Sequence, residues 1–67
     1  MTVTEFRLFF DALPEEDEMK LPSKRRFARE CGIALSSLKQ MAIGKAPFSE
    51  PRVHQILPLM RKYGFMG

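Results

Sequence analysis

Two short stretches with helical spacing of apolar residues, separated by one glycine, occupy the middle of this 67-residue chain. The apolar positions are Phe27, Ala28 and Cys31 in the first stretch, and Leu38 and Met41 in the second. Residues three or four apart lie on one face of a helix, so each stretch predicts a helix with a single buried side. Gly32, which tolerates a positive φ, predicts a sharp turn that Ile33 fills. Residues 23–45 therefore predict two helices joined by a turn, which the rest of the chain supports.

The N-terminal part of the chain predicts another amphipathic helix. Thr2 or Thr4 can cap its start, and Thr2 with Glu5 has the spacing of a capping box. The apolar stripe that follows, with spacing i, i+3, i+4 and i+7, is Phe6, Phe9, Phe10 and Leu13. Leu8 lies off the stripe and is expected to be exposed, and Pro14 ends the helix. We expect these aromatic residues to pack in the core, since their acidic neighbours would repel a phosphate backbone.

Residues 49–64 predict the C-terminal helix or helices. Ser49 is expected to cap the N-terminus, and Phe48 to be anchored in the core just before it. The apolar stripe is Val53, Ile56, Leu57 and Met60. Pro58 interrupts it, which predicts either one bent helix or two short ones. The whole chain, residues 1–67, is thus expected to be one all-α domain of four to five helices that contains a helix-turn-helix.

The charges of the chain are separated along the sequence. The formal net charge is +3, but residues 1–19 hold one basic and six acidic side chains, whereas residues 20–67 hold ten basic and two acidic ones. A basic segment of this kind, which includes the helix pair, favours a polyanionic partner such as nucleic acid. Chance clustering on a solvated surface is the alternative.

An acidic linker, residues 14–22, has a proline at each end and four consecutive acidic residues, 15–18. The simplest interpretation is a solvated loop, with Met19 and Leu21 anchoring it to the core. A second interpretation is a negatively charged guard that holds the first helix away from DNA or contacts a basic partner.

Basic residues fill the first turn of the first central helix, where they oppose the helix dipole. Ser23 is expected to cap this helix. An anion bound at this turn would make the basic residues favourable, so we expect it to bind a DNA phosphate; the alternative is that the side chains simply remain in water. The expected phosphate contacts are Ser23, Lys24, Arg25, Arg26, Arg29 and Lys45.

Small polar, amide and cationic side chains lie opposite the apolar side of the second central helix, which Gly44 closes. We expect them to contact base edges: Ser36, Ser37, Lys39 and Gln40. A glutamine suits a bidentate contact with adenine, a lysine suits guanine or phosphate, and a serine suits base or backbone.

These residues resemble the Cro/repressor helix-turn-helix family of temperate phages and prophages. The matching positions are Ala28 and Gly32 four apart, apolar Phe27, Cys31 and Ile33, then Leu38 and Met41, and Gly44-Lys45 after the second helix. A looser similarity to YdaS-like prophage regulators extends over most of the chain, with its first helix ending in Leu-Pro and its serine-initiated last helix. The chain departs from the family at Ala34, where a polar cap is usual, and at Leu35, where a polar base contact is common.

The resemblance implies a sequence-specific, double-stranded-DNA-binding transcriptional regulator, such as a phage or prophage Cro-like repressor. A homodimer is expected because one short motif reads about a half-site and two-fold proteins bind two-fold operators. Two alternatives stay open. One is a DNA-binding antitoxin whose acidic linker contacts a toxin or other regulatory protein, and the other is a protein-binding inhibitor that uses this scaffold without DNA.

Several classes of protein do not fit the sequence. With one cysteine and one histidine, Cys31 and His54, we expect no disulfide framework, no metal and no cofactor, and we expect Cys31 to pack in the core. The chain offers no nucleophile–base pair, no phosphate-binding glycine loop and no paired carboxylates on a helix, so we do not expect an enzyme. It has no run of roughly 18–20 apolar residues and a poor signal peptide, so we expect no membrane partner and a cytoplasmic location in a bacterial host.

Overall fold

The chain forms four helices in a computed structural model that describes residues 1–66, one residue fewer than the predicted domain. They are α1 (Val3–Asp11), α2 (Lys24–Cys31), α3 (Leu35–Ala42) and α4 (Glu50–Lys62). The described residues contain no strand. The predicted all-α class is confirmed, and α2 and α3 form the predicted helix-turn-helix.

The start and the buried side of α1 follow the sequence rules. The Glu5 N–H donates to Thr2 Oγ1 over 3.2 Å, and the Thr2 N–H donates to Glu5 Oε1 over 2.9 Å, which completes the predicted capping box. This backbone hydrogen bond from Thr2 holds the pKa of the Glu5 carboxyl below its ordinary value. Phe6 and Phe10 are buried, whereas Leu8 is 69% exposed, as its position off the stripe predicts.

Aromatic rings connect the helices across the core. Phe6 on α1 stacks on Phe48 of the α3–α4 loop, with ring centroids 5.2 Å apart. Phe9, on the same helix, lies 5.6 Å from Phe27 of α2, which in turn lies 6.5 Å from Tyr63 at the end of α4. Such ring pairs add to the gain from burying their area. The expectation that these aromatics form core is confirmed.

The turn between α2 and α3 depends on Gly32. This residue has φ 73°, in the left-handed region, and the next N–H, of Ile33, donates to Ala28 O over 3.2 Å. That bond reaches back over the end of α2, where the Gly32 N–H also donates to the Ala28 and Arg29 carbonyls and helps to satisfy the last turn. Ile33 is 5% exposed and fills the turn.

Replacing Gly32 with alanine is expected to lower the free energy of unfolding by about 1–2 kcal/mol, because an L-residue with a Cβ is strained at this φ. The added Cβ would lie 3.6 Å from Gln55 Nε2, an ordinary contact, so the cost comes from the backbone. Urea denaturation followed by circular dichroism measures the loss. Gly32→Asn is the control, since asparagine tolerates the left-handed region better; equal losses for the two variants would contradict this explanation.

The C-terminal part is one helix. α4 runs through Pro58 without dividing, so the alternative of two short helices is wrong. A proline lacks an N–H, so the helix loses one hydrogen bond at Pro58, while Ile56 and Met60 on either side of it are fully buried. Ser49 occupies the N-cap position as predicted, but its side chain makes no capping hydrogen bond.

The acidic linker is anchored at one of its two predicted points. Leu21 packs on the core and Pro22 is buried, but Met19 is fully exposed, so the prediction that Met19 anchors the loop is wrong. The Glu18 N–H donates to Leu21 O over 3.0 Å and closes a turn. Met19 lies at the tip of that turn, and its side chain is surrounded by solvent.

Candidate nucleic-acid interface

Packing between α2 and α3 leaves the polar side of α3 on the surface. Leu38 and Met41 are buried against the rest of the core, with 0% and 2% of their surface exposed. Ser36, Lys39 and Gln40 are exposed, as the predicted base-contacting side requires. The fourth predicted base contact, Ser37, is half-buried and lines a concavity together with Ser49 and Arg52 at the start of α4.

A groove of about 540 Å³ lies between the acidic linker, the first turn of α2 and the side of α3. We call it the charged groove. Its lining residues are Glu15, Glu16, Asp17, Ser23, Lys24, Arg25, Arg29, Leu35 and Lys39. The groove therefore brings together four of the six predicted phosphate contacts and one predicted base contact, and it places three carboxylates beside them. Leu35 contributes an apolar side chain to it.

The anion expected at the first turn of α2 is supplied by the chain itself. The Ser23 N–H donates to Asp17 Oδ1 over 2.8 Å, and this backbone hydrogen bond keeps the pKa of the Asp17 carboxyl below its ordinary value. The Lys24 N–H donates to Pro14 O, and the Arg26 N–H donates to Ser23 Oγ over 3.1 Å, the predicted cap. A carboxylate near these N–H groups offsets the unfavourable position of the basic side chains. Ser23 is 7% exposed and would have to leave these partners to bind a phosphate.

Lys24 is also held by the protein. Its ammonium donates to Leu13 O, lies 3.6 Å from Glu15 Oε1 and sits over the Phe10 ring at 5.8 Å. Its side chain is only 16% exposed. Lys24 therefore ties α2 to the end of α1, and a phosphate would reach it only by displacing Glu15.

Arg26 is shared between two carboxylates. Its guanidinium lies 3.9 Å from Asp17 and 4.0 Å from Glu30, with about half of its side chain exposed. Exposed pairs at such distances contribute little to stability, so they break readily when a stronger anion approaches.

Four of the predicted DNA contacts are cations without a carboxylate partner. Within residues 1–66, Arg25, Arg29, Lys39 and Lys45 form no ion pair, and all four side chains are exposed. Three of them line the charged groove. Lys45 follows α3, where its N–H donates to Gln40 O over 2.9 Å and fixes the loop after that helix. The region around α3 therefore carries several cations that no carboxylate of residues 1–66 pairs with.

Glu30, the one acidic residue of the helix-turn-helix, is bound by α4. It accepts a hydrogen bond from the Tyr63 hydroxyl and pairs with Lys62 at 3.4 Å. The hydrogen bond from Tyr63 lowers the pKa of the Glu30 carboxyl, and the same bond raises the pKa of the Tyr63 hydroxyl. The charge of Glu30 is thus largely matched by its own partners.

Cys31 belongs to the core. Its side chain is 5% exposed, and burial raises the pKa of its thiol to about 12, with the nearby Glu30 adding to the rise. A thiol with that pKa stays protonated and unreactive at neutral pH. Its carbonyl accepts a hydrogen bond from Gln55 Nε2 over 2.7 Å, which joins the end of α2 to α4.

Sequence reasoning missed Arg52. This residue lies in the same concavity as Ser37 and Ser49, near the polar side of α3. Its guanidinium donates to Gln55 Oε1 over 3.3 Å. A basic residue in the first turns of the last helix was visible in the sequence, but only the packing of α4 places it near α3.

Comparisons with protein-family models, with curated proteins and with solved structures return no significant match to this chain. In the described part of the chain, no three histidine, cysteine or carboxylate side chains are grouped to hold a metal ion. Within residues 1–66, no helix combines the length and apolar character needed to cross a bilayer.

Proposed function

We propose that the protein binds double-stranded DNA through α3 and the cations around it, as a small transcriptional regulator of the Cro-like repressor type. The observation that carries the proposal is the joint exposure of Lys39 and Gln40 on α3 next to unpaired arginines of α2. An exposed helix with amide and cationic side chains suits the major groove, and flanking cations suit the phosphates on either side.

Each group of residues has its own role in this proposal. Arg25, Arg29 and Lys45 neutralise phosphates and orient the domain on the duplex, which requires no particular sequence. Ser36, Lys39 and Gln40 contact base edges and provide the sequence preference. No catalytic step is involved. A homodimer would place two copies of α3 on a two-fold operator, and a regulator of this type would act in the cytoplasm of a bacterial cell.

A related candidate is a DNA-binding antitoxin, which would use the same interface and add a protein partner. The full exposure of Met19 at the tip of the acidic linker supports it, since an exposed methionine beside carboxylates suits an apolar and basic partner surface. Recovery of a DNA complex that a basic partner protein enlarges would favour this candidate over a free-standing repressor.

The wild-type protein is expected to bind a fluorescein-labelled duplex of random sequence, with an affinity that falls steeply as salt rises. If Arg25, Arg29 and Lys45 each neutralise a phosphate, the slope of log K against log salt is roughly −2.7, which is roughly a 40-fold loss between 50 and 200 mM. Fluorescence anisotropy at several salt concentrations measures it. No binding at 50 mM salt, or binding that salt does not change, would contradict the proposal and favour a protein-binding role.

A further inference from the structure

The charged groove has walls of opposite sign. Glu15, Glu16 and Asp17 line it from the acidic linker, while Arg25, Arg29 and Lys39 line it from the two helices. Arg25, Arg29 and Lys39 are three of the residues that the proposed function assigns to DNA. A phosphate backbone that reaches them must therefore come close to three carboxylates.

The acidic wall is held in place by the protein backbone. Asp17 accepts a hydrogen bond from the Ser23 N–H over 2.8 Å, and Pro14 O accepts one from the Lys24 N–H over 3.1 Å. These two bonds join the linker to the first turn of α2, while the ion pair of Glu15 with Lys24 adds a third connection. Because a backbone N–H carries no net charge, these two bonds are screened by salt less than the exposed ion pairs, and they keep the linker beside the groove.

The carboxylates occupy positions that phosphates would take. Asp17 binds at the N-terminus of α2 and lies 3.9 Å from the Arg26 guanidinium, while Glu15 lies 3.6 Å from the Lys24 ammonium. A helix N-terminus with adjacent basic side chains is a favourable place for a phosphate. Two cations of the helix-turn-helix are thus neutralised inside the protein before any DNA arrives.

We propose that residues 14–17 act as an intramolecular brake on DNA binding, in which their carboxylates compete with DNA phosphates for the cations of α2; this inference rests on the proposed function. The brake lowers affinity for every duplex, because phosphates are common to all sequences. Ser36 and Gln40, the proposed base contacts that do not line the groove, are unaffected, so the brake weakens random-sequence binding without removing sequence preference. Displacing the linker, by a basic partner or by a favourable operator, releases Lys24 and Arg26.

The test compares two double variants with equal changes in net charge. E15Q/E16Q neutralises two groove carboxylates, and D11N/E18Q neutralises two exposed carboxylates outside the groove. At 50 mM salt E15Q/E16Q is expected to bind a random duplex roughly 5- to 10-fold more tightly than the wild type, and D11N/E18Q less than about 2-fold more tightly. The release of Lys24 is also expected to steepen the salt slope by roughly 0.9 for E15Q/E16Q alone.

The outcomes separate the brake from the proposed function. Equal affinities and equal slopes for the two double variants, with a salt-dependent wild type, would overturn the brake and leave DNA binding intact. If none of the proteins binds a duplex at 50 mM salt, the proposed function fails and the brake fails with it. Circular dichroism and urea denaturation of both variants are expected to match the wild type, since the replaced side chains are exposed.

Discussion

Replacing Phe27 with alanine is expected to unfold most of the protein at room temperature. Phe27 is fully buried and joins Phe9 of α1 to Tyr63 after α4. Truncating a buried phenylalanine costs about 3–5 kcal/mol, because the apolar surface is lost and a cavity remains. In a domain of fewer than about 70 residues the core rarely supplies more than about 3–5 kcal/mol of stability, so the loss takes most of it. Thermal denaturation followed by circular dichroism at 222 nm measures the effect.

Leu8→Ala is the matched control for this variant. It also removes a large apolar side chain from a helix, but Leu8 is 69% exposed and lies off the core stripe of α1. We expect its melting temperature to stay close to that of the wild type. A Phe27→Ala protein that melts cooperatively within a few degrees of Leu8→Ala would show that the aromatic contacts do not hold the helices together.

The double variant Arg25→Ala/Arg29→Ala is expected to lose DNA affinity for all sequences alike. Both side chains are exposed and unpaired within residues 1–66, and both line the charged groove. Removing two phosphate contacts should flatten the slope of log K against log salt by roughly 1.8 and weaken binding by roughly 10- to 100-fold at low salt. Anisotropy titrations on specific and random duplexes, at several salt concentrations, measure both quantities.

Two further variants separate phosphate binding from base recognition. Arg7→Ala/Arg61→Ala makes the same change in net charge at exposed positions of α1 and α4 outside the groove, and it should leave the slope nearly unchanged.

Gln40→Ala should keep the slope but lose roughly 1–3 kcal/mol of binding free energy at the preferred site, with a relaxed preference in selection from random duplexes. Unchanged sequence preference in Gln40→Ala would show that the base-contacting side is misplaced.

The parts of the fold that sequence rules predicted well depend on neighbours a few residues apart. The capping box of Thr2 and Glu5, the Ser23 cap and the left-handed Gly32 each involve partners within five residues along the chain. The same local rules were less reliable at Ser49, which holds the cap position without making the side-chain bond. The local sequence predicted that α4 begins after Ser49. Whether the Ser49 hydroxyl bonds to the helix N-terminus depends also on its rotamer, which the sequence does not give.

In the candidate interface, the sequence predicted the exposed side of α3 but did not predict the ion pairs that Lys24 and Arg26 form with the acidic linker. The exposure of Lys39 and Gln40 follows from the spacing of Leu38 and Met41 on the opposite side of α3. The engagement of Lys24 by Glu15 and Leu13 O could not be read from the sequence, because eleven residues separate Lys24 from Leu13. The course of the loop between them depends on how α1 packs.

The amino-acid sequence by itself determined the all-α class, the buried stripes of the helices and the turn at Gly32, because hydrogen bonding and helical periodicity act over short distances along the chain. The tertiary structure alone decided which charges meet. Packing of α1 against the other helices brings the acidic linker onto the first turn of α2, and packing of α4 brings Arg52 towards α3. Electrostatic interactions depend on distance through space, so the packing of the helices decides which cations have a carboxylate nearby and which do not.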